Sequence, residues 1–442
     1  MIAPTHSRVL VLGASGLIGR YLTDDLRRRG FATIGVARTF SGSQRVSPGD
    51  IELPIMALDA TALAGFIRAH QIDVVVNCLG VLQDGPGSDT NAVHRDFVAR
   101  LLAGVAACGR SVRLIHISIP GTADEDRTSF ATTKREAERL IAASGIPHAI
   151  LRPGFVIAPA AYGGSAMVRA LAAFPVDLPP KDAATPFQPV AVADVAATIA
   201  WLAARPIEDE TACAVSWDLM QPEPVTLGEV LSAFRRSFGT SGWTRITVPA
   251  PLINLGALAG DLSSRLGWTP PMRSTAIAEL RRAVRGDPAP WIAATGITPT
   301  TLADAVGRHG ASIQDKWFAR LFLIKALIIV SLVLFWMASG GIALFASFPA
   351  TTAILTTRGW PEGFATPFAA ITSMMDISVG VLIAFRRTAA FGLVAGILIS
   401  LGYMIGCAVF TPDLWLEPLG ALVKTGPAIV LMLVALLTLD NR

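Results

Sequence analysis

The pattern of apolar and polar positions changes character along the chain. Arg8-Val9-Leu10-Val11-Leu12 is a short, β-branched apolar run, followed by Gly13-Ala14-Ser15-Gly16-Leu17-Ile18-Gly19. A helix-like stretch at 20–30 and a second apolar run, Ala32–Ala37, come next. Short apolar runs bounded by turn residues read as buried strands, and longer periodic segments read as helices. The alternation then continues. Strands are predicted at 55–58 (ending at Asp59), 73–77 (running into Cys78-Leu79-Gly80), Arg113–Ile117 (ending at Ser118) and 149–151. Helices are predicted at 62–70, 91–108 and 132–144. Regular βα alternation predicts an α/β domain with a doubly wound parallel sheet.

Beyond residue 316 the pattern becomes almost continuously apolar. Residues 321–345 contain one charge (Lys325), 366–385 one (Asp376), Ala389–Phe410 none and 419–439 one (Lys424). Each run has about 20 residues or more, enough to cross about 30 Å of hydrocarbon at 1.5 Å per residue. A four-helix transmembrane bundle is therefore expected. With the N-terminal domain inside, the inner flanks carry Lys316, Arg320, Lys325, Arg386, Arg387 and Arg442, and the outer loops carry Arg358 and Lys424. That asymmetry predicts both termini in the cytoplasm, at the inner membrane. Asp376 lies near the middle of its run, where a carboxylate is costly. It reads either as a proton- or quinone-site group or as a hydrogen-bonded residue that orients helices.

Composition confirms that the two parts differ. The chain has 442 residues, 52% apolar and 16% charged, against about 25% charged in ordinary globular proteins. Residues 1–316 hold 30 of the 37 Lys/Arg and 28 of the 33 Asp/Glu, leaving 7 and 5 for the last 126. A net charge of +4 without a basic block argues against nucleic-acid binding. Four dispersed cysteines fit a reducing compartment, and six scattered histidines show no metal-ligand spacing. The polar Thr5-His6-Ser7-Arg8 leads straight into a strand, so no signal peptide is expected. A dinucleotide, membrane lipid, a quinone or a further copy of the chain are the partners compatible with this pattern. The expected division is 1–300 for the nucleotide-binding domain and its small substrate subdomain, 301–317 for a juxtamembrane linker and 318–442 for the membrane domain.

The glycine segment carries the candidate chemistry. In a strand–turn–helix unit, Gly13 permits the tight turn, Gly16 lets the backbone approach a pyrophosphate, and Gly19 lets helix and strand pack closely. The N–H groups of the Ser15-Gly16-Leu17-Ile18 turn and the helix dipole favour phosphate. An acid at the end of the second strand would take the ribose 2′-hydroxyl of NAD, and a base suits the 2′-phosphate of NADP. Arg38 stands there, so NADP(H) is expected over NAD(H). Asp59, Gly80, Ser118 and Pro153 sit at strand carboxyl ends, where such sheets bind ligands.

Taken together, these residues resemble the short-chain dehydrogenase/reductase superfamily in its extended or atypical branch, over roughly residues 7–300. Gly13–Gly19, Asp59, Asn77-Cys78-Leu79-Gly80, Ser118, Lys134 and Arg152-Pro153-Gly154 follow the family's order. Phe187-Gln188-Pro189-Val190-Ala191-Val192-Ala193-Asp194-Val195 looks like its substrate-domain signature. The resemblance implies a Rossmann-type fold, with Asp59 on the adenine amine and Lys134 on the nicotinamide ribose. One departure stands out: the family's catalytic tyrosine, four residues before the lysine, is Phe130 here. A phenyl ring cannot donate a proton. Tyr162, downstream of Pro153-Gly154, is the candidate substitute, which makes Lys134, Ser118 and Tyr162 the expected catalytic set. Residues 318–440 are similar to DoxX-like membrane domains, most recognisably at Leu416-Glu417-Pro418-Leu419-Gly420-Ala421-Leu422-Val423-Lys424. These resemblances imply a membrane-anchored NADP(H)-dependent oxidoreductase passing electrons to a quinone or other lipid-soluble acceptor. The alternative is a non-catalytic NADP(H) sensor or assembly module, as in NmrA-like regulators and the accessory subunit of respiratory complex I.

Overall fold

The computed structural model describes residues 7–40, 47–85, 88–270, 272–308, 310–416 and 420–439. Thr5, His6, Arg442 and the Glu417-Pro418-Leu419 part of the DoxX-like segment lie outside the described residues. The chain forms two compact units. One takes the residues up to Asp261 together with 272–319, and the other takes Leu262–Pro270 with the residues from Arg320 on.

In the first unit the chain runs through β1 (Arg8–Leu12), α1 (Leu17–Arg28), β2 (Ala32–Ala37), β3 (Asp50–Glu52), α2 (Ala60–Ala69) and β4 (Val74–Asn77). It continues with α3 (Phe97–Ala107), β5 (Arg113–Ile117), α4 (Ser129–Ala143) and β6 (His148–Pro153). Next come β7 (Phe155–Ile157), α5 (Gly163–Ala172), β8 (Val176–Asp177), α6 (Pro180–Ala183), β9 (Pro189–Ala191), α7 (Val192–Ala204) and β10 (Val215–Leu219). The main sheet has seven strands in the order β10-β6-β5-β4-β1-β2-β3, all parallel. Successive residues of β1 serve opposite faces. Val9 and Val11 join Leu22 and Leu26 of α1 and Val195 and Ile199 of α7. Leu10 and Leu12 join Ile67 of α2, Phe97 and Leu101 of α3, and Ile141 of α4. Burial on both faces explains why these strands are apolar without alternation.

One strand differs from the sequence reading. Residues 55–57 form a 3-10 turn, and the third strand is Asp50–Glu52 at the sheet edge. Pro54 lacks an N–H for the ladder, which ends pairing before the apolar run begins.

The rest of this unit builds a smaller subdomain from α8 (Leu227–Phe238), β11 (Ile246–Thr247), α9 (Ala250–Arg265, which leads into the second unit), α10 (Ser274–Arg281), α11 (Ala289–Thr295) and α12 (Leu302–Gly307). Its core joins Val168 of α5, Phe187, Leu231 and Phe234 of α8, and Ala305 and Val306 of α12. Asp194, in the Phe187–Val195 segment, is buried and accepts hydrogen bonds from the Thr300 amide (2.8 Å) and hydroxyl (2.9 Å).

The second unit is helical: α13 (Ile313–Gly341, which begins in the first unit and is continued by a π-helical turn at Ile342–Ala346), α14 (Phe348–Thr356), α15 (Glu362–Ala384), α16 (Ala389–Phe410) and α17 (Ala421–Leu437). Among the described residues three helices are long and apolar enough to cross a membrane: Ile313–Ala346, Glu362–Ala384 and Ala389–Phe410. The region is multi-pass, and a fourth helix of that length is not among the described residues. The last apolar segment forms 17 helical residues, about 26 Å of rise against about 30 Å of hydrocarbon. Small residues let the helices approach. A Cβ at Gly340 would overlap the Ser373 carbonyl, and one at Gly396 would crowd Met432 and Trp336. Asp376 is buried in this bundle and accepts from the Tyr403 hydroxyl at 2.9 Å and the Ser339 hydroxyl at 3.2 Å.

Candidate active site

The glycine turn is built as close packing of backbone on backbone. Gly13 adopts φ +82°, which an L side chain rarely takes, and a Cβ there would press on the Cys78 carbonyl at 3.2 Å. At Gly19 a Cβ would overlap the Gly13 carbonyl oxygen; at Gly16 it would meet that oxygen at 3.3 Å. Gly16 caps α1 without a side-chain acceptor, and no acid lies in the first turn. Ser15, Leu17 and Ile18 complete this half-exposed turn. The N–H groups of the first turn and the positive end of the helix therefore face outward at the carboxyl end of β1, a donor set that fits a diphosphate.

Lys134 is the second component. Thr128 caps α4 by accepting from the Ala131 amide at 3.1 Å, which sets the helix so that Lys134 points inward. Its side chain is only 4% exposed. Nζ donates to the Ile117 carbonyl at 2.8 Å and the Leu79 carbonyl at 3.2 Å. Two of its three donors are thus held at the ends of β5 and β4, and one remains. Gly80 leaves room beside Nζ, since a Cβ there would lie 3.6 Å away. Burial lowers the Lys134 ammonium from 10.5 to about 8, with the Glu138 charge opposing the shift. Burial also pushes the Cys78 thiol up to about 12, so a neutral thiol borders the site.

Around this centre the structure gathers groups the sequence reading passed over. A π-helical turn, Asn91–Asp96, places His94 against α4. His94 Nε2 accepts from the Val81 amide at 3.1 Å, so this nitrogen carries no proton. Its Nδ1 lies 2.8 Å from the Thr133 hydroxyl, which itself donates to the Ser129 carbonyl at 2.6 Å. The network therefore assigns a neutral Nδ1–H tautomer. Burial first, then the Lys134 charge, lowers its pKa to about 2. His94 is a positioning residue with both nitrogens engaged, and its ring meets Phe130 edge-on at 5.6 Å. Behind Lys134, Glu138 receives Arg152 in a two-pronged pair at 2.9 and 2.8 Å and Arg135 at 3.2 Å. Burial works against ionisation of Glu138, but these guanidinium contacts outweigh it and hold its pKa down. Arg135 also ties the 119–121 loop through the Ile119 (3.0 Å), Pro120 (2.9 Å) and Gly121 (2.6 Å) carbonyls. Only helical spacing to Lys134 signalled Glu138, and nothing in the sequence signalled a π turn at His94.

The remaining expected residues divide. Ser118 is buried at the end of β5, and its hydroxyl faces the Glu138 carboxylate, which it helps keep ionised. Pro153 is buried at the end of β6. Asp59 caps α2, accepting from the Ala62 amide at 2.8 Å. Tyr162 stands at the N-terminus of α5, 43% exposed, and takes no part in the hydrogen bonds around Lys134 and His94.

The comparisons with known proteins agree with this geometry. Residues 9–174 match the NAD dependent epimerase/dehydratase family, and residues 333–433 match the DoxX-like family. The chain joins an epimerase-family Rossmann domain to a DoxX-like membrane domain. It is 32% identical over 189 residues to a 3-diazoavenalumate denitrifying reductase of Streptomyces, covering 36% of this chain and 61% of the relative. It is 26% identical over 157 residues to the phenylcoumaran benzylic ether reductase of Betula pendula, covering 34% and 49%. The chain thus spans half to three fifths of these relatives' length. The fold is similar to that of WbmG of Bordetella bronchiseptica in complex with NAD (TM-score 0.52, 17% identity, 72% of this chain and 97% of that one). It is also similar to UDP-glucuronic acid 4-epimerase of Bacillus cereus with UDP-glucuronic acid and NAD (0.51, 15%, 71% and 99%).

The expectation of NADP(H) is corrected by these structures, which hold NAD. The end of β2 gives the physical reason. Arg38 is exposed there. Glu52 pairs in register with Ala37 and accepts from the Phe40 amide at 2.7 Å. A carboxylate at the same strand end opposes a 2′-phosphate, so Arg38 alone does not specify one.

Proposed function

We propose that the protein is an NAD(H)-dependent oxidoreductase anchored at the inner face of a membrane, reducing or oxidising a lipid-soluble carbonyl or quinone. The observation that carries this reading is Lys134: buried at the strand ends, lowered to about 8, with one donor uncommitted. Bound NAD(H) supplies or accepts the hydride. The chain's own part is to hold the diphosphate at the Gly13–Gly19 turn and to keep a proton at Lys134 Nζ. Near neutral pH that ammonium is charged yet close to release, the condition for general acid–base work. It takes over the proton transfer that Phe130 cannot perform. The excess of bases on the flanks carrying Lys316, Arg320, Arg386 and Arg387 supports a cytoplasmic N-terminal domain.

The test is NADH oxidation by the full chain in detergent, with a panel of carbonyls and quinones, for wild type and Lys134→Met. Turnover in the wild type and none in the variant is expected. Phe130 favours a second reading, a domain that binds NAD(H) without turning it over. NADH that binds and exchanges but is oxidised by no member of the panel would replace the first reading with the second.

A further inference from the structure

The α9 helix carries an apolar face that its own domain leaves bare. Leu252, Leu255, Leu258 and Leu262 are 56%, 61%, 62% and 61% exposed. At 100° per residue they fall within an arc of about 120°. The opposite side is in use: Ile253, Ala257 and Gly260 are buried, and a Cβ at Gly260 would overlap the Met272 carbonyl. The polar flanks are in use as well. Asn254 accepts from Arg281 at 3.3 Å, and Asp261 accepts from Arg273 at 3.0 Å. A four-leucine stripe rimmed by polar residues marks an interaction surface.

The continuation of the helix identifies the occupant. Leu266 and Trp268 pack within the membrane unit, at the end of span α15. The Arg386 amide donates to the Leu266 carbonyl at 3.0 Å, and Trp268 Nε1 donates to the carbonyl of Ala384, the last residue of that span, at 2.7 Å. The Arg386 guanidinium lies over the Trp268 ring at 5.7 Å. Tryptophan beside arginine at a span end is the chemistry of the membrane–water interface. Leu262 precedes Leu266 by four residues, about 6 Å of helical rise. The stripe therefore starts at the bilayer surface, with Arg265 exposed beside it and no acid on its apolar face.

We propose that α9 is an in-plane membrane-surface helix whose four leucines insert into the headgroup–acyl boundary of the bilayer that the spans cross. The amphipathic form, with few charges on the apolar side and a basic residue alongside, is that of interfacial helices.

The test places p-benzoylphenylalanine at position 255 or 258 of the full chain, in vesicles of phosphatidylethanolamine and phosphatidylglycerol at 7:3. Asp24, exposed on α1, serves as the control position. On irradiation, positions 255 and 258 are expected to add the mass of one phospholipid, and position 24 to add none. Both sites are exposed, so neither change disturbs the fold. As a second measure, Leu255→Glu with Leu258→Glu should remove at least nine tenths of the lipid adduct formed by the same photoprobe at position 262. Absence of lipid adducts at 255 and 258, or chain-to-chain adducts there in their place, would overturn the proposal.

Discussion

Replacing Lys134 with methionine tests the burial of the ammonium by its linkage to pH. The unfolded chain holds the Lys134 proton up to about pH 10.5, and the folded protein releases it near 8. Between these values the unfolded state binds more protons, so stability rises with pH. Below pH 8 both states are protonated, and the cost of burying the charge is fully present, about 3 kcal/mol at 1.36 kcal/mol per pH unit. Between pH 7 and pH 9.5 about 2 kcal/mol of that cost is relieved. Methionine has no proton to lose. The difference in unfolding free energy between wild type and Lys134→Met should therefore move by about 2 kcal/mol toward the wild type over this range. The assay is urea unfolding of the full chain in detergent, without dinucleotide, followed by tryptophan fluorescence. Trp217 and Trp291 are buried in the sheet core and report this domain. Parallel pH trends for the two proteins would refute the buried ammonium, and with it the proton donor on which the proposed chemistry depends.

Other outcomes follow from single contacts. Gly16→Val should abolish NAD(H) binding by calorimetry with little loss of Tm, whereas Gly19→Ala should lower Tm by several degrees because its Cβ overlaps the Gly13 carbonyl oxygen; normal NAD affinity in Gly16→Val would exclude the diphosphate site. Phe130→Tyr puts a hydroxyl four residues before Lys134, and general acid catalysis contributes about 10²–10⁴-fold, so NADH turnover should rise at least tenfold; an unchanged rate means that a hydroxyl there does not reach the substrate. Arg38→Ala should change NAD(H) affinity less than threefold by calorimetry, since the guanidinium is exposed. Asp376→Ala removes the acceptor of the Ser339 hydroxyl and the nearer acceptor of the Tyr403 hydroxyl, a loss of about 1–3 kcal/mol, visible as a lower Tm in detergent.

The division into a nucleotide-binding domain and a membrane region was legible in the sequence because both signals are local. Val9–Leu12 followed by three glycines dictates a strand, a tight turn and a close helix whatever surrounds them. Runs of 20 apolar residues cannot be solvated by water. The apolar Ile55-Met56-Ala57-Leu58 reads as the third strand, yet Pro54 ends the pairing before it and the strand is Asp50–Glu52. The last membrane helix shows the limit of composition. Its apolar run is long enough to span, but the helix it forms is 17 residues.

The chemistry was decided by tertiary structure. Lys134 also reads as an exposed helical lysine until the ends of β4 and β5 close over it and two carbonyls accept hydrogen bonds from its ammonium. His94 lies 40 residues away and reaches α4 through a π turn that no periodicity announces. Arg38 promised a phosphate site, but Glu52, fourteen residues on, arrives beside it by sheet pairing. By itself the sequence determined the elements and the phosphate-binding turn, because these depend on neighbours a few residues apart. Burial and proton affinity depend on groups that only folding brings together, and so only the folded chain decided them.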